Sequence, residues 1–183
     1  EPMPQLACDA TPGLLRDGGF EKAGGEAVKL LRSGTLLPQI GKATRTAWQL
    51  PLGAKIADGD SSPCMTVQGD GQSFRMIRQA LTVEAFPAGS VWRLTARMKG
   101  VGVARGDAGW KTACLRWSVQ TSERGTYSTV SLPFGDSEWR EVSVEMTVPT
   151  GVRGVSVEAG MNGNAGQVWV DDVRIEEIKK PSL

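Results

Sequence analysis

The sequence predicts an all-β domain folded as a two-sheet antiparallel β-sandwich, or jelly roll. Apolar and polar residues alternate with a period of two in successive segments after residue 90, which is the pattern of half-buried strands. The chain also contains 23 glycines and 10 prolines, spread so that they separate short segments. Only residues 26–32 have the pattern of a short helix. Together these observations favour about nine strands in two facing sheets.

The strand signals before residue 90 are weaker than those after it. They fall in three segments, residues 44–50, 64–68 and 73–83. In the third segment Phe74 and Met76 are out of phase with Ile77 and Leu81. We therefore expect a β-bulge near Met76 and Ile77, because one extra residue would restore a single phase.

Five later segments alternate clearly. They are residues 90–99, 111–120, 138–148, 155–161 and 168–175. Trp92 and Trp117 fall on the apolar phase, so we expect both to pack in the core. The opposite phase, which should face solvent, carries the hydrogen-bond donors Arg93, Arg97, Lys99, Arg116, Ser118 and Gln120.

Composition and charge exclude several function classes. A net charge of +1 provides no field that would attract a polyanion, so nucleic acid is not an expected partner. The apolar runs are far shorter than the roughly 20 residues that cross a bilayer, so no membrane association is expected. Because histidine is absent, Ser-His-Asp and Cys-His catalytic sites and most zinc sites are excluded.

The carboxylates give no catalytic pattern. A glycosidase needs two of them facing each other across a cleft. Asp58, Asp60 and Asp70 lie in predicted loops, and no pair stands out among them. We therefore expect a chain that is not an enzyme.

The three cysteines point to structural roles. Cys8, Cys64 and Cys114 include no Cys-x-x-Cys pair, so neither a zinc knuckle nor a thioredoxin-type site is indicated. In an exported protein Cys8 and Cys64 could form a disulfide that leaves Cys114 over. The alternative is that all three are thiols.

Two runs at opposite ends of the chain carry a resemblance to a known family. The first is Asp-Gly-Gly-Phe-Glu at residues 17–21, and the second is Val-Trp-Val-Asp-Asp-Val-Arg-Ile at residues 168–175. Between them residues 92–100 read Trp-Arg-Leu-Thr-Ala-Arg-Met-Lys-Gly. This layout resembles the jelly-roll carbohydrate-binding modules, with a galactose-binding-domain-like fold, that are appended to modular bacterial glycoside hydrolases. The resemblance covers residues 13–178, which leaves an N-terminal extension at 1–12 and a tail or linker start at 179–183.

The resemblance implies a non-catalytic module that binds a polysaccharide or oligosaccharide and targets an attached catalytic domain to it. It also implies a secreted, bacterial protein that acts as a monomer, and the start at Glu1 looks like a mature or trimmed end. The alternative from a different class is a structural or protein-contact scaffold domain that never touches sugar.

A structural calcium ion is a further implication of the resemblance. In such modules the first and last strands lie side by side and hold calcium through oxygen ligands. The matching ligands here are Glu21 and Asp171, with Asp172 as a substitute if the strand phase is shifted by one. The chain departs from the family at Asp17, where asparagine is usual. Glu21 and Asp171 could instead cap loops or pair with lysine.

Sugar binding requires a flat aromatic surface and planar polar side chains. Trp48 and Trp110 lie in irregular segments and are the expected stacking platforms. The expected polar partners, taken from the outward rows, are Arg97, Arg116 and Gln120, and a uronate-containing glycan would suit such donors. Cross-strand ion pairs with Glu141, Glu145 and Glu158 would explain the arginines without a ligand.

Overall fold

The computed structural model describes Leu15, Phe20, residues 48–58 and residues 63–182. These residues form nine strands. In chain order they are β1 (Ala54–Asp58), β2 (Pro63–Asp70), β3 (Phe74–Leu81), β4 (Val91–Val103), β5 (Ala113–Thr121), β6 (Gly125–Ser131), β7 (Gly135–Thr147), β8 (Val152–Asn162) and β9 (Ala165–Lys179). One short 3-10 turn, Val83–Ala85, lies between β3 and β4.

The strands form two antiparallel sheets. The five-stranded sheet has the order β1-β2-β9-β4-β7, and the four-stranded sheet has the order β3-β8-β5-β6. The prediction of an all-β, two-sheet antiparallel jelly roll is confirmed. None of the described residues belongs to a helix with the length and hydrophobicity needed to span a membrane.

The core lies between the sheets and is centred on aromatic side chains. Phe86 packs on Trp92 and Trp117, with ring centroids 4.7 and 6.0 Å away. Both tryptophans are buried, as their phase predicted, and both indole N–H groups have acceptors: Trp92 donates to the Ser90 hydroxyl and Trp117 to the Val144 carbonyl. Each large apolar side chain in this core contributes about 1.5–3 kcal/mol by burial.

The expected bulge in β3 is wrong. β3 pairs with β8 without a register shift from Phe74 to Leu81. Alternate residues of an uninterrupted strand face opposite sides, so Phe74 and Met76 belong to the outer row and Ile77 and Leu81 to the core row. The phase conflict therefore marks an aromatic residue on the solvent face.

An irregularity does occur in β9, at Asp171 and Asp172. Val170 and Val173 are both buried. In a regular strand two residues three positions apart face opposite sides of the sheet, so only one of them would face the core. The register against β4 shifts between Thr95 and Arg97, and Asp172 has φ 48°, in the left-handed region. The strand phase thus changes at this pair of aspartates.

The strands and segments that sequence reasoning missed are short or polar. β1 includes Asp58, which was expected in a loop, and β6 has no apolar alternation. Of the segment at 44–50 only 48–50 are described, and there a single bridge joins Gln49 to Arg78. The helix expected at 26–32 and the extension at 1–12 lie outside the described residues. The last strand ends at Lys179, one residue into the expected tail.

Candidate functional site

The four-stranded sheet carries an open cleft on its solvent face. Its volume is about 760 Å³. Residues from all four strands, from the β4–β5 loop and from the β2–β3 and β8–β9 turns line it: Gln72, Phe74, Gly109, Trp110, Lys111, Thr112, Arg116, Tyr127, Thr129, Ser131, Glu158, Asn162 and Gly163. Phe74, which the sequence placed out of phase in β3, thus lines this cleft.

Three aromatic side chains in the cleft are exposed. Trp110, on the β4–β5 loop, is 65% exposed, Tyr127 on the edge strand β6 is 56% exposed, and Phe74 on the opposite edge strand β3 is 51% exposed. Soluble domains usually cover side chains of this size, so an aromatic group exposed inside a concave surface indicates a binding site.

A buried ion pair forms the centre of the cleft floor. Arg116 of β5 and Glu158 of β8 are direct cross-strand partners, and Arg116 Nε donates to Glu158 Oε2 over 2.6 Å. The side chains are only 11% and 7% exposed. Arg78, on the other side of β8, lies 3.6 Å from Glu158 Oε1. Glu158 is therefore shared by two guanidinium groups.

Two aromatic rings hold the Arg116 guanidinium in place. Its Cζ lies 4.2 Å from the ring centroid of Tyr127 and 5.4 Å from that of Phe74. Guanidinium groups stack favourably on aromatic faces, because the ring face carries partial negative charge. The cleft floor is thus a continuous arrangement of ring, cation and ring that crosses the sheet from β3 to β6.

Backbone contacts position Trp110 at the end of the cleft. Asn162 Nδ2 donates to the Trp110 carbonyl over 3.1 Å, and the Asn162 backbone N–H donates to the Thr112 carbonyl. Lys111 forms an ion pair with Asp107, and its Nζ lies 5.5 Å from the Trp110 ring centroid. The Lys111 ammonium also lowers the pKa of the Asp107 carboxyl by hydrogen bonding. The loop is therefore tied to β8 on one side of the tryptophan.

Asp70 fixes the turn that brings Gln72 beside Phe74. Its carboxylate accepts hydrogen bonds from the backbone N–H groups of Gln72 and Ser73 and from the Ser73 hydroxyl. These bonds, with the side chain of Ser73 first, hold the pKa of Asp70 well below its usual range. The carboxylate also pairs with Arg75 at 3.1 Å.

Two of the predicted ligand residues, Trp110 and Arg116, meet in this cleft. The expectation that Trp48 offers an exposed platform is wrong, because Trp48 is 1% exposed and its ring centroid lies 5.3 Å from that of Phe20. Its segment looks irregular in sequence, but the pairing of the adjacent Gln49 with β3 directs Trp48 into the core.

Arg97 and Gln120 are not brought into the cleft. Arg97 lies on the five-stranded sheet, 5.3 Å from the ring centroid of Trp139 and 3.8 Å from Asp172. Gln120 is exposed near the end of β5, opposite Gly125. The strand phase had placed both residues outward, but it could not tell that Arg97 lies on the other sheet, or that Gln120 lies on the same strand as Arg116 but beyond the cleft lining.

Most of the outward arginines named in the sequence analysis form cross-strand ion pairs, which was the alternative to ligand binding. On the five-stranded sheet Arg93 pairs with Glu145 and Glu176, which raises the pKa of its guanidinium, chiefly through the Glu145 hydrogen bond. Arg174 pairs with Glu141 on the same face. Arg116 differs from these, because its pair is buried and lies in a cleft.

The predicted calcium ligands are only partly described. Asp171 is 4% exposed and accepts a hydrogen bond from the Asp172 N–H over 2.8 Å, whereas the Asp172 carboxylate turns toward Arg97. Carboxylate oxygens are ligands that suit a hard cation such as calcium, and Asp171 supplies such a group. Glu21 lies outside the described residues, and within them no three His, Cys, Asp or Glu side chains cluster.

Neither of the two cysteines among the described residues lines the cleft. Cys114 lies on β5, between β6 and β8, and is buried, which raises the pKa of its thiol to about 11. Cys64 is also buried. Because Cys8 lies outside the described residues, the disulfide between Cys8 and Cys64 stays a prediction.

Solved structures share this fold at low sequence identity. The CBM22-1 xylan-binding domain from Paenibacillus barcinonensis Xyn10C gives a TM-score of 0.53 at 14% identity, over 73% of this chain and 87% of that one. TmCBM61, solved in complex with β-1,4-galactotriose, gives 0.50 at 16% identity, over 91% of this chain and 99% of that one. No family model matches the sequence, and no curated protein is significantly similar to it.

One similar structure also contains a catalytic module. The CBM22-1-GH10 modules of Clostridium thermocellum xylanase 10B, solved with xylohexaose, give a TM-score of 0.53 at 17% identity. The match covers 75% of this chain but only 27% of that longer one. The chain thus has the fold of carbohydrate-binding modules, as the resemblance predicted.

Proposed function

We propose that this chain is a non-catalytic carbohydrate-binding module that holds a polysaccharide in the cleft of the four-stranded sheet. The observation that carries the proposal is the exposure of Trp110, Tyr127 and Phe74 around a single concave surface. The fold shared with xylan-binding and galactotriose-binding modules supports it.

The chemistry of the cleft suits a sugar chain. A pyranose ring has apolar C–H faces and a rim of hydroxyls, so it packs on an aromatic ring while its edge forms hydrogen bonds. Trp110 and Tyr127 supply such surfaces, and Thr129, Ser131 and Asn162 supply short polar groups close to them. Because Phe74 and Tyr127 lie on the two edge strands of the sheet, a polysaccharide that runs across the sheet could contact both rings.

The acidic groups of the cleft support binding without hydrolysis. Glycoside hydrolysis uses two carboxylates about 5–10 Å apart, one of which must be able to donate a proton. Among the described residues that line the cleft, Glu158 is the one carboxylate, and it is bound by Arg116 and Arg78. One carboxylate does not supply the pair that glycoside hydrolysis uses.

We also propose where the module acts, what it is attached to and which ion it holds. We place it outside the cell as a monomer attached to a glycoside hydrolase, since a similar structure carries a GH10 module beside its binding module. We also propose a structural calcium ion held by Asp171 together with Glu21, where it would fasten the last strand. Neither nucleic acid nor a membrane is a proposed partner.

Affinity electrophoresis on soluble xylan and galactan tests the function. We expect retardation of the wild-type protein by at least one of them, and a roughly tenfold to hundredfold weaker affinity for Trp110→Ala and Tyr127→Ala, since stacking residues are binding hot spots. Trp139→Ala, on the other sheet, is the matched control and should bind as the wild type does. A wild-type protein that no glycan retards would instead support the scaffold function.

A further inference from the structure

Arg116 keeps hydrogen-bonding capacity that the protein does not use. A guanidinium has five N–H donors. Nε donates to Glu158, and in the part of the chain that the structure describes no acceptor is bonded to the two terminal amino groups. The rings of Tyr127 and Phe74 and the carboxylate of Glu158 fix the plane of the group. The two terminal amines therefore remain for a ligand in the cleft.

The charges at the cleft floor leave an excess of positive charge. Glu158 neutralises one of its two guanidinium neighbours, Arg116 and Arg78, and the Lys111 ammonium at the cleft end is paired with Asp107. One positive charge of this group of three is thus uncompensated, and Arg116 is the guanidinium of the two that lines the cleft. Since the Arg116 side chain is only 11% exposed, water screens its charge less than it would screen that of a surface arginine.

On the basis of the proposed function, we infer that the cleft recognises a glycan that carries a carboxylate, in the form of a uronic acid residue, through the terminal amines of Arg116. A planar carboxylate accepts two parallel hydrogen bonds from such a pair of amines, which a neutral hydroxyl cannot do. Tyr127 and Trp110 contact the sugar rings on either side, and the carboxylate decides which sugar unit lies over Arg116.

Carboxyl reduction of the ligand tests the inference without changing the protein. Isothermal titration calorimetry compares a xylan that bears glucuronic acid with the same polymer after its carboxyl groups have been reduced to alcohols. We expect the reduced polymer to bind the wild-type protein at least tenfold more weakly, and the preference to shrink as sodium chloride screens the charge.

Two variants assign the preference to Arg116. Arg116→Lys keeps a positive charge beside Glu158, so we expect it to fold normally. Lysine lacks the two parallel amino groups of arginine, so this variant should lose most of the preference for the native over the carboxyl-reduced polymer. In Arg116→Gln/Glu158→Gln both charges are removed together, and the double variant should bind the native and the reduced polymer with about equal affinity. Arg174→Gln, which breaks an ion pair on the other sheet, should keep the full preference.

The possible outcomes separate this inference from the proposed function. Equal binding of the native and reduced polymers by the wild type overturns the inference and leaves the carbohydrate-binding function standing. A preference that survives in the double variant assigns it to another group and also overturns the inference. If neither polymer binds, uronic acid recognition is wrong, and binding to the neutral galactan decides the proposed function.

Discussion

The side chains of Arg116 and Glu158 lie 2.6 Å apart on the solvent face of a sheet, yet both are almost completely buried. Outward rows of a sandwich are normally wet, and ion pairs there contribute little to stability. Here Phe74 and Tyr127 flank the Arg116 guanidinium and little of the side chain is exposed, so we expect the pair to respond to mutation like one in a protein interior.

The first prediction concerns the stability of this pair. We expect Arg116→Gln to lower the free energy of unfolding by about 3 kcal/mol, because it leaves Glu158 buried with a less complete set of partners. Arg78 still lies 3.6 Å from the carboxylate, which keeps the loss at the lower end for a broken buried pair. Urea denaturation should show a smaller loss in Arg116→Gln/Glu158→Gln. Equal losses in the two proteins would mean that burial of the charge does not matter.

The second prediction concerns the loop that presents Trp110. Asn162→Ala removes the hydrogen bond to the Trp110 carbonyl, and we expect the affinity for glycan to fall severalfold although no stacking ring is lost. A double-mutant cycle with Trp110→Ala is the measurement, since Asn162 should have little further effect once the indole is absent. Additive losses would show instead that Asn162 acts on the ligand independently of Trp110.

The third prediction concerns pH. The pKa of Asp70 is lower in the folded chain than in the unfolded chain, so the unfolded chain takes up the proton more readily and acid favours unfolding. The stability that Asp70 provides is thus fully present above about pH 5 and is lost as the pH falls toward its lowered pKa. The difference in melting temperature between the wild type and Asp70→Asn should begin to narrow below about pH 5 and should continue to narrow as the pH approaches the lowered pKa. A difference that stayed constant from neutral pH to strong acid would contradict the prediction.

The fourth prediction concerns the proposed calcium ion. A ligand that binds only the native state raises the melting temperature, so calcium should raise it and chelation should lower it. Asp171→Asn should abolish the response, whereas Asp172→Asn should keep it, because the Asp172 carboxylate is directed to Arg97. Melting curves that do not change with calcium would remove the ion from the description of this domain.

Sequence reasoning found the fold because burial leaves a period-two trace wherever a strand has an apolar and a polar face. The strands from residue 91 onward show this, and Trp92 and Trp117 were placed in the core correctly. It missed β6, because an edge strand half covered by its neighbours buries Thr126 and Ser128 only in part and has little contrast between its faces.

The same reasoning reached only part of the candidate site. Trp110 and Arg116 were found, but Phe74 was explained as a bulge and Tyr127 lies on the missed strand. Both are aromatic residues on an outward phase, which is the signal that could have identified them. Which outward rows share a sheet depends on topology, so Arg97 and Arg116 could not be separated by periodicity.

The cleft joins parts of the chain that are far apart in sequence. Phe74 lies on one edge strand, Glu158 on its neighbour and Tyr127 on the opposite edge strand. The binding surface therefore exists only when the whole four-stranded sheet has formed. A polysaccharide that contacts these three residues together links the strands of the sheet, and the unfolded chain offers no equivalent binding surface. At a ligand concentration one hundred times Kd, such a ligand adds about 2.7 kcal/mol to the unfolding free energy, so a module loaded with its polymer should withstand heat that unfolds the free protein.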